Sequence, residues 1–160
     1  MVRLFFSAFL TIVVSYTPVT AQNKTIDQQA LHWADSILKT MKTDEKIGQL
    51  FMVAAYSGGN EQHHHAIEQL IKSYHIGGLI FMQGSPVRQA HLTNRFQSQS
   101  DLPLLIGMDM EWGLGMRLDS AIHFPKQMTL GAIQDNSLIY DMGKEIGNQM
   151  KRLGVNVAFA

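Results

Sequence analysis

Cysteine is absent from the 160 residues. Disulfide frameworks, thiolate zinc sites and cysteine nucleophiles are therefore excluded together. An excess of charge is lacking as well. Thirteen basic and thirteen acidic side chains cancel, so no broad field draws the chain to nucleic acid or to an anionic membrane, and neither is expected as a partner. A hydrophobic run long enough to span a bilayer is also missing. Leu4 to Val14 is apolar apart from Ser7 and Thr11, but a spanning helix needs about 20 such residues. Arg3 precedes the run, Pro18 follows it, and Val19-Thr20-Ala21 closes it with small residues. This is the pattern of a secretory signal peptide over 1–21, cleaved after Ala21, and it fits better than a membrane anchor. The expected location is periplasmic or extracellular, with no membrane span left after cleavage. A lipoprotein anchor is excluded because no cysteine follows.

What is present is globular: 46% hydrophobic residues at a length suited to one domain, enough to bury a core. Ile26 to Met41 carries Ala30, Trp33, Ala34, Ile37, Leu38 and Met41 at three- and four-residue intervals, predicting an amphipathic helix within an N-terminal segment 22–42. Thr43 is the expected cap of a second, short helix with Asp44 and Glu45 in its first turn. From there apolar runs alternate with helical patterns. Leu50–Ala55, Ile76–Met82, Leu102–Met108 and Val155–Phe159 read as strands covered on both faces. Helices are predicted from about Gln62 to Tyr74, Ser85 to Ser98 with Pro86 in the first turn, and Asn136 to Leu153 with Gly154 as a left-handed cap.

Strands alternating with helices imply a parallel sheet with right-handed crossovers. A doubly wound sheet and a (β/α)8 barrel both satisfy that pattern. The lack of a G-x-G-x-x-G after the first strand weakens a dinucleotide-binding reading. The expected fold is the first half of a (β/α)8 TIM-type barrel over 43–160, truncated within the fourth strand.

Five segments, in order and in register, carry a resemblance. Met41-Lys42-Thr43-Asp44-Glu45-Lys46-Ile47-Gly48-Gln49-Leu50 is like M-T-x-E-E-K-I-G-Q-L. Ile76-Gly77-Gly78-Leu79-Ile80-Phe81 is like G-G-x-I-L-F. Pro103 to Glu111, followed by a glycine loop and Arg117, is like P-L-x-I-x-x-D-x-E-G-G-x-x-x-R. Phe124-Pro125 with Leu130-Gly131-Ala132 is like F-P-x-x-x-x-L-G-A, and Leu153 to Ala160 is like the strand that continues to P-V-x-D. Together they resemble the N-terminal catalytic barrel of glycoside hydrolase family 3, in its exported bacterial β-N-acetylhexosaminidase and β-glucosidase branches. Trp112 stands where a glycine is usual, and Leu114 where an arginine is common.

The resemblance implies that Asp109 holds hydroxyls of the terminal sugar. From the residues alone a loop-fixing carboxylate or helix cap is the favoured reading of Asp109, although a charged acceptor at the carboxyl end of a barrel strand suits sugar hydroxyls; the resemblance reverses that order. Trp112 is a second candidate, able to stack on a pyranose face or to pack the loop. Glu111 and Arg117 are expected to pair as the loop's scaffold. Asp109 and Glu111 also raise the thought of a two-carboxylate mechanism, but the resemblance puts the nucleophile and the acid/base after Ala160. No catalytic residue is therefore assigned within the chain, and His123-Phe124-Pro125 is given no catalytic role despite its likeness to K-H-F-P-G-H. Consecutive His63-His64-His65 point in three directions and lack the four-residue spacing of helical zinc ligands, so they read as a solvated helix start. His75 reads as structural. No metal and no cofactor is expected.

The implied activity of the intact protein is that of a retaining exo-β-N-acetylhexosaminidase acting on a terminal β-linked sugar, with β-glucosidase as the alternative. The 160 residues by themselves would not be catalytic and would lack the C-terminal half of the barrel. A non-catalytic sugar-binding or interaction module, or a doubly wound binding protein with Asp109 as a structural cap, are the readings from other classes.

Overall fold

The computed structural model describes residues 27–160. The expected signal peptide over 1–21, and the first residues of the 22–42 segment, lie outside them. Residues 37–160 form one compact unit. The first described helix is α1 (Gln28–Thr40). Helix α2 (Thr43–Gly48) follows. Thr43 is its first residue rather than its cap. The start is closed instead by Glu45, whose carboxylate accepts from the Lys42 backbone N–H at 2.9 Å, the reaching-back half of a capping box.

Strand β1 (Met52–Ala55) leads to α3 (Glu61–Tyr74), β2 (Gly78–Phe81) to α4 (Pro86–Gln97), and β3 (Leu105–Asp109) to a 3-10 turn at Leu114–Met116 and a short helix α5 (Gln127–Leu130). Helix α6 (Asn136–Leu153) then runs into β4 (Val157–Phe159). The helix starts use side-chain caps: the Asn60 side chain accepts from the His63 N–H at 2.9 Å, the Ser85 hydroxyl from Arg88 N–H, and Asp135 from Ser137 N–H. Pro86 sits in the first turn of α4, where its missing donor is not needed. Gly154 ends α6 at φ 69°, as expected, while α3 ends on His75 at φ 51°. That histidine is structural: it holds a left-handed cap that costs a non-glycine residue about 1 kcal/mol.

All four strands are parallel and hydrogen-bonded in sequence order β1-β2-β3-β4. A doubly wound sheet would reverse its strand order and carry helices on both faces; here α3 and α4 cover one face. Along each strand alternate residues take opposite sides. Val53, Leu79 and Ile106 form one row, and Ala55, Phe81 and Met108 the next on the same face. These pack with Ile67, Ile71, Leu92 and Phe96 of α3 and α4 as the core. The other face is a barrel's inner wall and is incompletely covered. Leu105 is 54% exposed, and Met52, Ala54, Ile80 and Val157 are half-buried. In a closed barrel this face meets the opposite wall, which the described residues do not include; Leu50 and Phe51, predicted within β1, are exposed before it begins. The pattern is that of consecutive βα units in a barrel wall, not closed over the described residues.

Glycine matters at two close approaches. A side chain at Gly48 would meet the Tyr74 carbonyl oxygen at 1.9 Å, and one at Gly77 the Gln49 carbonyl oxygen at 2.1 Å. The amino end of β2 is therefore locked against the end of α2, with the Gly77 N–H donating toward Gly48 O at 3.2 Å and Phe51 O at 3.1 Å.

Between α3 and α4 lies an ionic cluster centred on one buried carboxylate, Glu68. Glu68, 6% exposed, accepts from Arg95 Nε and from Gln99 Nε2, each at 2.6 Å, with His65 Nδ1 at 2.8 Å. Arg95 reaches Glu61 as well, at 3.0 Å. The Arg95 guanidinium, helped by Gln99 and His65, holds the Glu68 carboxyl down at about 2 against the opposing effect of burial. His64 is buried too, its Nε2 3.3 Å from the Tyr56 carbonyl oxygen. Of the three histidines, only His65 faces solvent as the sequence suggested. The described residues contain no group of three or more metal-ligating side chains, and no described helix is long and apolar enough to cross a membrane.

Candidate functional site

In a parallel barrel wall the carboxyl ends of the strands and the loops after them form the binding face. Asp109 is the last residue of β3. It lies at the same level as Phe159 of β4, with which it pairs in register. Its neighbours Met108 and Met110 are buried, at 0% and 2% exposure, whereas the Asp109 side chain keeps 30%. The alternation of the pleat therefore turns Asp109 away from the helix layer and Met110 into the core.

The segment after Met110 folds back. The N–H of Gly113 donates to Met110 O at 2.9 Å, Met116 to Gly113 O at 3.1 Å, and Arg117 to Leu114 O at 3.0 Å. Gly113 has φ 81°, and a Cβ there would stand 2.7 Å from the Phe124 ring, so both backbone and space call for glycine. Leu114 and Leu118, at 3% and 1% exposure, nail the turn to the core. Leu114 is thus an apolar anchor of the turn.

This turn brings the Arg117 guanidinium onto Asp109, Nη2 donating to Oδ2. Arg117 thus pairs with Asp109 and not with Glu111 as expected. Alternation alone would put both carboxylates opposite Met110; Glu111 lies past the end of β3, where the chain bends toward Gly113, and is exposed, its backbone carbonyl accepting from Gln127 Nε2 at 2.7 Å. Glu111 remains part of the loop's framework through that carbonyl. Asp109 Oδ1 has no hydrogen-bond partner among the described residues, and Arg117 Nε is buried without one. A carboxylate held by a guanidinium on one oxygen and open on the other is a fixed, charged acceptor for a ligand hydroxyl.

Trp112, in the same loop, is half-buried, with the Lys126 ammonium 5.0 Å from its ring centroid. One face of the indole is therefore taken by a cation. His123 is exposed and carries no ion pair among the described residues.

The neighbouring loops are tied to the same corner. Gly84, after β2, donates to Arg117 O at 3.2 Å and accepts from Asp119 N–H at 2.9 Å. Gly58, after β1, donates to Gln83 O at 3.1 Å. Sequence reasoning did not single out these loop residues; the glycines Gly58, Gly59 and Gly84 just past two strand ends were the available signal. A larger apolar cavity, about 600 Å³, opens at the amino end of the sheet beside Ile47, Phe51, Val53 and Tyr74. That end of a barrel serves stability rather than binding.

Comparison with known proteins bears on the family and the fold. Residues 42–160 match the family model described as the glycosyl hydrolase family 3 N-terminal domain. A beta-N-acetylglucosaminidase/beta-glucosidase of Cellulomonas fimi is 28% identical over 141 residues, covering 88% of this chain and 24% of the relative. A beta-hexosaminidase A of Pseudoalteromonas piscicida is 34% identical over 107 residues, covering 59% of this chain and 18% of the relative. The chain thus spans a quarter or less of the length of these relatives. Among solved structures, a beta-glucoside phosphorylase, BglX, bound to 2FGlc superposes with a TM-score of 0.73 at 22% identity, over 84% of this chain and 24% of that one. That likeness establishes the barrel-type fold.

Proposed function

Because the chain belongs to glycosyl hydrolase family 3 through its N-terminal domain, we propose that the full-length protein is an exported, retaining exo-β-N-acetylhexosaminidase and that Asp109 holds hydroxyls of the terminal sugar. The observation that carries the site is the Asp109 carboxylate at the end of β3, fixed by Arg117 on one oxygen and open on the other. Two hydroxyl hydrogen bonds to a charged acceptor contribute about 1.5–3 kcal/mol each, enough to orient a pyranose for reaction. Glu111 and Arg117 keep the loop in shape, and Trp112 offers an aromatic edge beside it.

In the retaining reaction a carboxylate attacks the anomeric carbon while an acid protonates the departing glycosidic oxygen, and water then cleaves the glycosyl ester. Both groups fall to the portion of the protein after Ala160, as the family resemblance implies; this chain contributes binding. No cofactor is required by that chemistry. Preference for N-acetylhexosamine over glucose is supported by the names of the two curated relatives, one of which carries both activities. Export is supported by the signal-like pattern of residues 1–21.

The test is a comparison of kcat/KM for chromogenic β-N-acetylglucosaminide and β-glucoside with the full-length protein. At least a tenfold advantage for the former is expected. A reversed preference would make it a β-glucosidase, and no hydrolysis of either would overturn the enzymatic reading.

A further inference from the structure

A second groove lies on the binding face, outside the Asp109 corner. It has a volume of about 420 Å³ and is walled by Tyr56, Gly58, Gly59, Asn60, His63 and Gln83. These residues belong to the loops after β1 and β2 and to the first turn of α3. We propose that this groove is a second carbohydrate subsite, taking the sugar on the far side of the scissile bond from the one held by Asp109. The proposal rests on the glycosidase reading and extends it to the leaving-group side.

Position comes first. Ala55 pairs in register with Phe81, and Phe81 with Met108, so Tyr56, Met82 and Asp109 stand at one level. Two strand spacings separate Tyr56 from Asp109, about 10 Å between their backbones. The groove and the Asp109 corner are thus side by side on one face, close enough for one ligand of two linked rings to reach both. The intervening loops are stitched together by Gly58 N–H to Gln83 O and Gly84 N–H to Arg117 O, which holds the two places in fixed relation.

The lining has the chemistry of a neutral sugar. Tyr56 is 42% exposed and presents a ring for the apolar C–H face of a pyranose. Its edge is steadied by the His63 ring, 5.5 Å away and nearly perpendicular at 72°. Exposed Gln83 and the amide nitrogen of Asn60 offer groups that match hydroxyls, which both donate and accept. His63 Nε2 accepts from the Tyr56 N–H at 3.1 Å, leaving the proton on Nδ1. Burial, with the neighbouring His64 adding, lowers the pKa of His63, so the lining bears no charge at neutral pH. Space is reserved by Gly59, where a Cβ would come within 2.7 Å of the His63 ring.

The test compares two substrates of the full-length protein. A β-N-acetylglucosaminyl fluoride has a one-atom leaving group and cannot enter the groove, whereas a β-1,4-linked N-acetylglucosamine trimer can. Tyr56→Ala should lower kcat/KM for the trimer about five- to tenfold, as loss of a stacked ring does, and leave the fluoride within about twofold. Tyr56→Phe, which keeps the ring, should restore the trimer. An unchanged trimer value for Tyr56→Ala, or equal losses on both substrates, would overturn the subsite. A wild-type protein that cleaves neither substrate would instead overturn the glycosidase reading, and this one with it.

Discussion

The Asp109–Arg117 pair can be tested as a unit, because a guanidinium that acts only through its carboxylate should have no effect once the carboxylate is gone. The side chains keep 30% and 19% of their surface, between the exposed pairs that contribute about 0–1 kcal/mol and the buried ones whose disruption costs about 3–5 kcal/mol. Arg117→Met should therefore cost about 2 kcal/mol of transition-state binding, or about 30-fold in kcat/KM. Asp109→Asn loses the charged acceptor for sugar as well and should cost about 3 kcal/mol, roughly 150-fold. The double variant should be no worse than Asp109→Asn alone, giving a coupling of about 2 kcal/mol in the cycle. The measurement is kcat/KM of four full-length proteins on the preferred chromogenic glycoside, with melting temperatures as the control on folding. Methionine relieves the buried, unpartnered Arg117 Nε but also breaks a partly buried ion pair, so some loss of melting temperature is expected, and kcat/KM is compared well below that transition. Strictly additive losses would refute action through Asp109. Wild-type efficiency in Asp109→Asn would refute sugar binding by that residue.

Three further outcomes concern the scaffold. Glu68 titrates at about 2 in place of 4.5 because of Arg95, so its contribution is full above pH about 4.5 and is lost as pH falls toward 2. Glu68→Gln should therefore destabilise by about 2 kcal/mol at neutral pH, with the gap from wild type closing across that acid window in denaturant titrations; a gap independent of pH would refute the assignment. Gly77→Ala drives a Cβ into the Gln49 carbonyl at 2.1 Å and should cost about 3 kcal/mol or more. Gly143→Ala in α6 meets nothing within 4 Å and should stabilise by about 0.5–1 kcal/mol; equal melting temperatures for the two variants would contradict the close approach.

Much of the wall was legible because its signals are local. The predicted helix from Asn136 to Leu153 with its Gly154 cap coincides with α6, since a 3.6-residue stripe and a left-handed glycine are both written in neighbouring residues. The four apolar runs are the four strands, shortened at their ends. What covers the strands' second face was not legible. A continuous apolar run is the same string whether its second face meets helices or a barrel interior. Here that second face includes Leu105, 54% exposed.

At the site, position was readable and partnership was not. Asp109 at a strand's carboxyl end followed from the run before it, but Arg117 stands eight residues from Asp109 and six from Glu111, and neither separation belongs to a regular element. The choice between the two carboxylates is made by the bend after β3, because alternation puts both on the side opposite Met110. Once that apolar side chain takes the core at 2% exposure, its neighbours on the strand must face the other way, and the backbone then turns again at Gly113, φ 81°. Asp109 is left on the binding face and Glu111 beyond the bend. The same reasoning gives the inner-wall glycines a role that their motif letters do not state. A Cβ at Gly78 would lie 2.9 Å from Met52 Cε, and one at Gly107 3.1 Å from Met52 Sδ, so the two glycines form the bed on which Met52 of β1 lies across β2 and β3. Packing on the inner wall and placement of Asp109 one level above it are thus consequences of a single pleat, read in two successive rows.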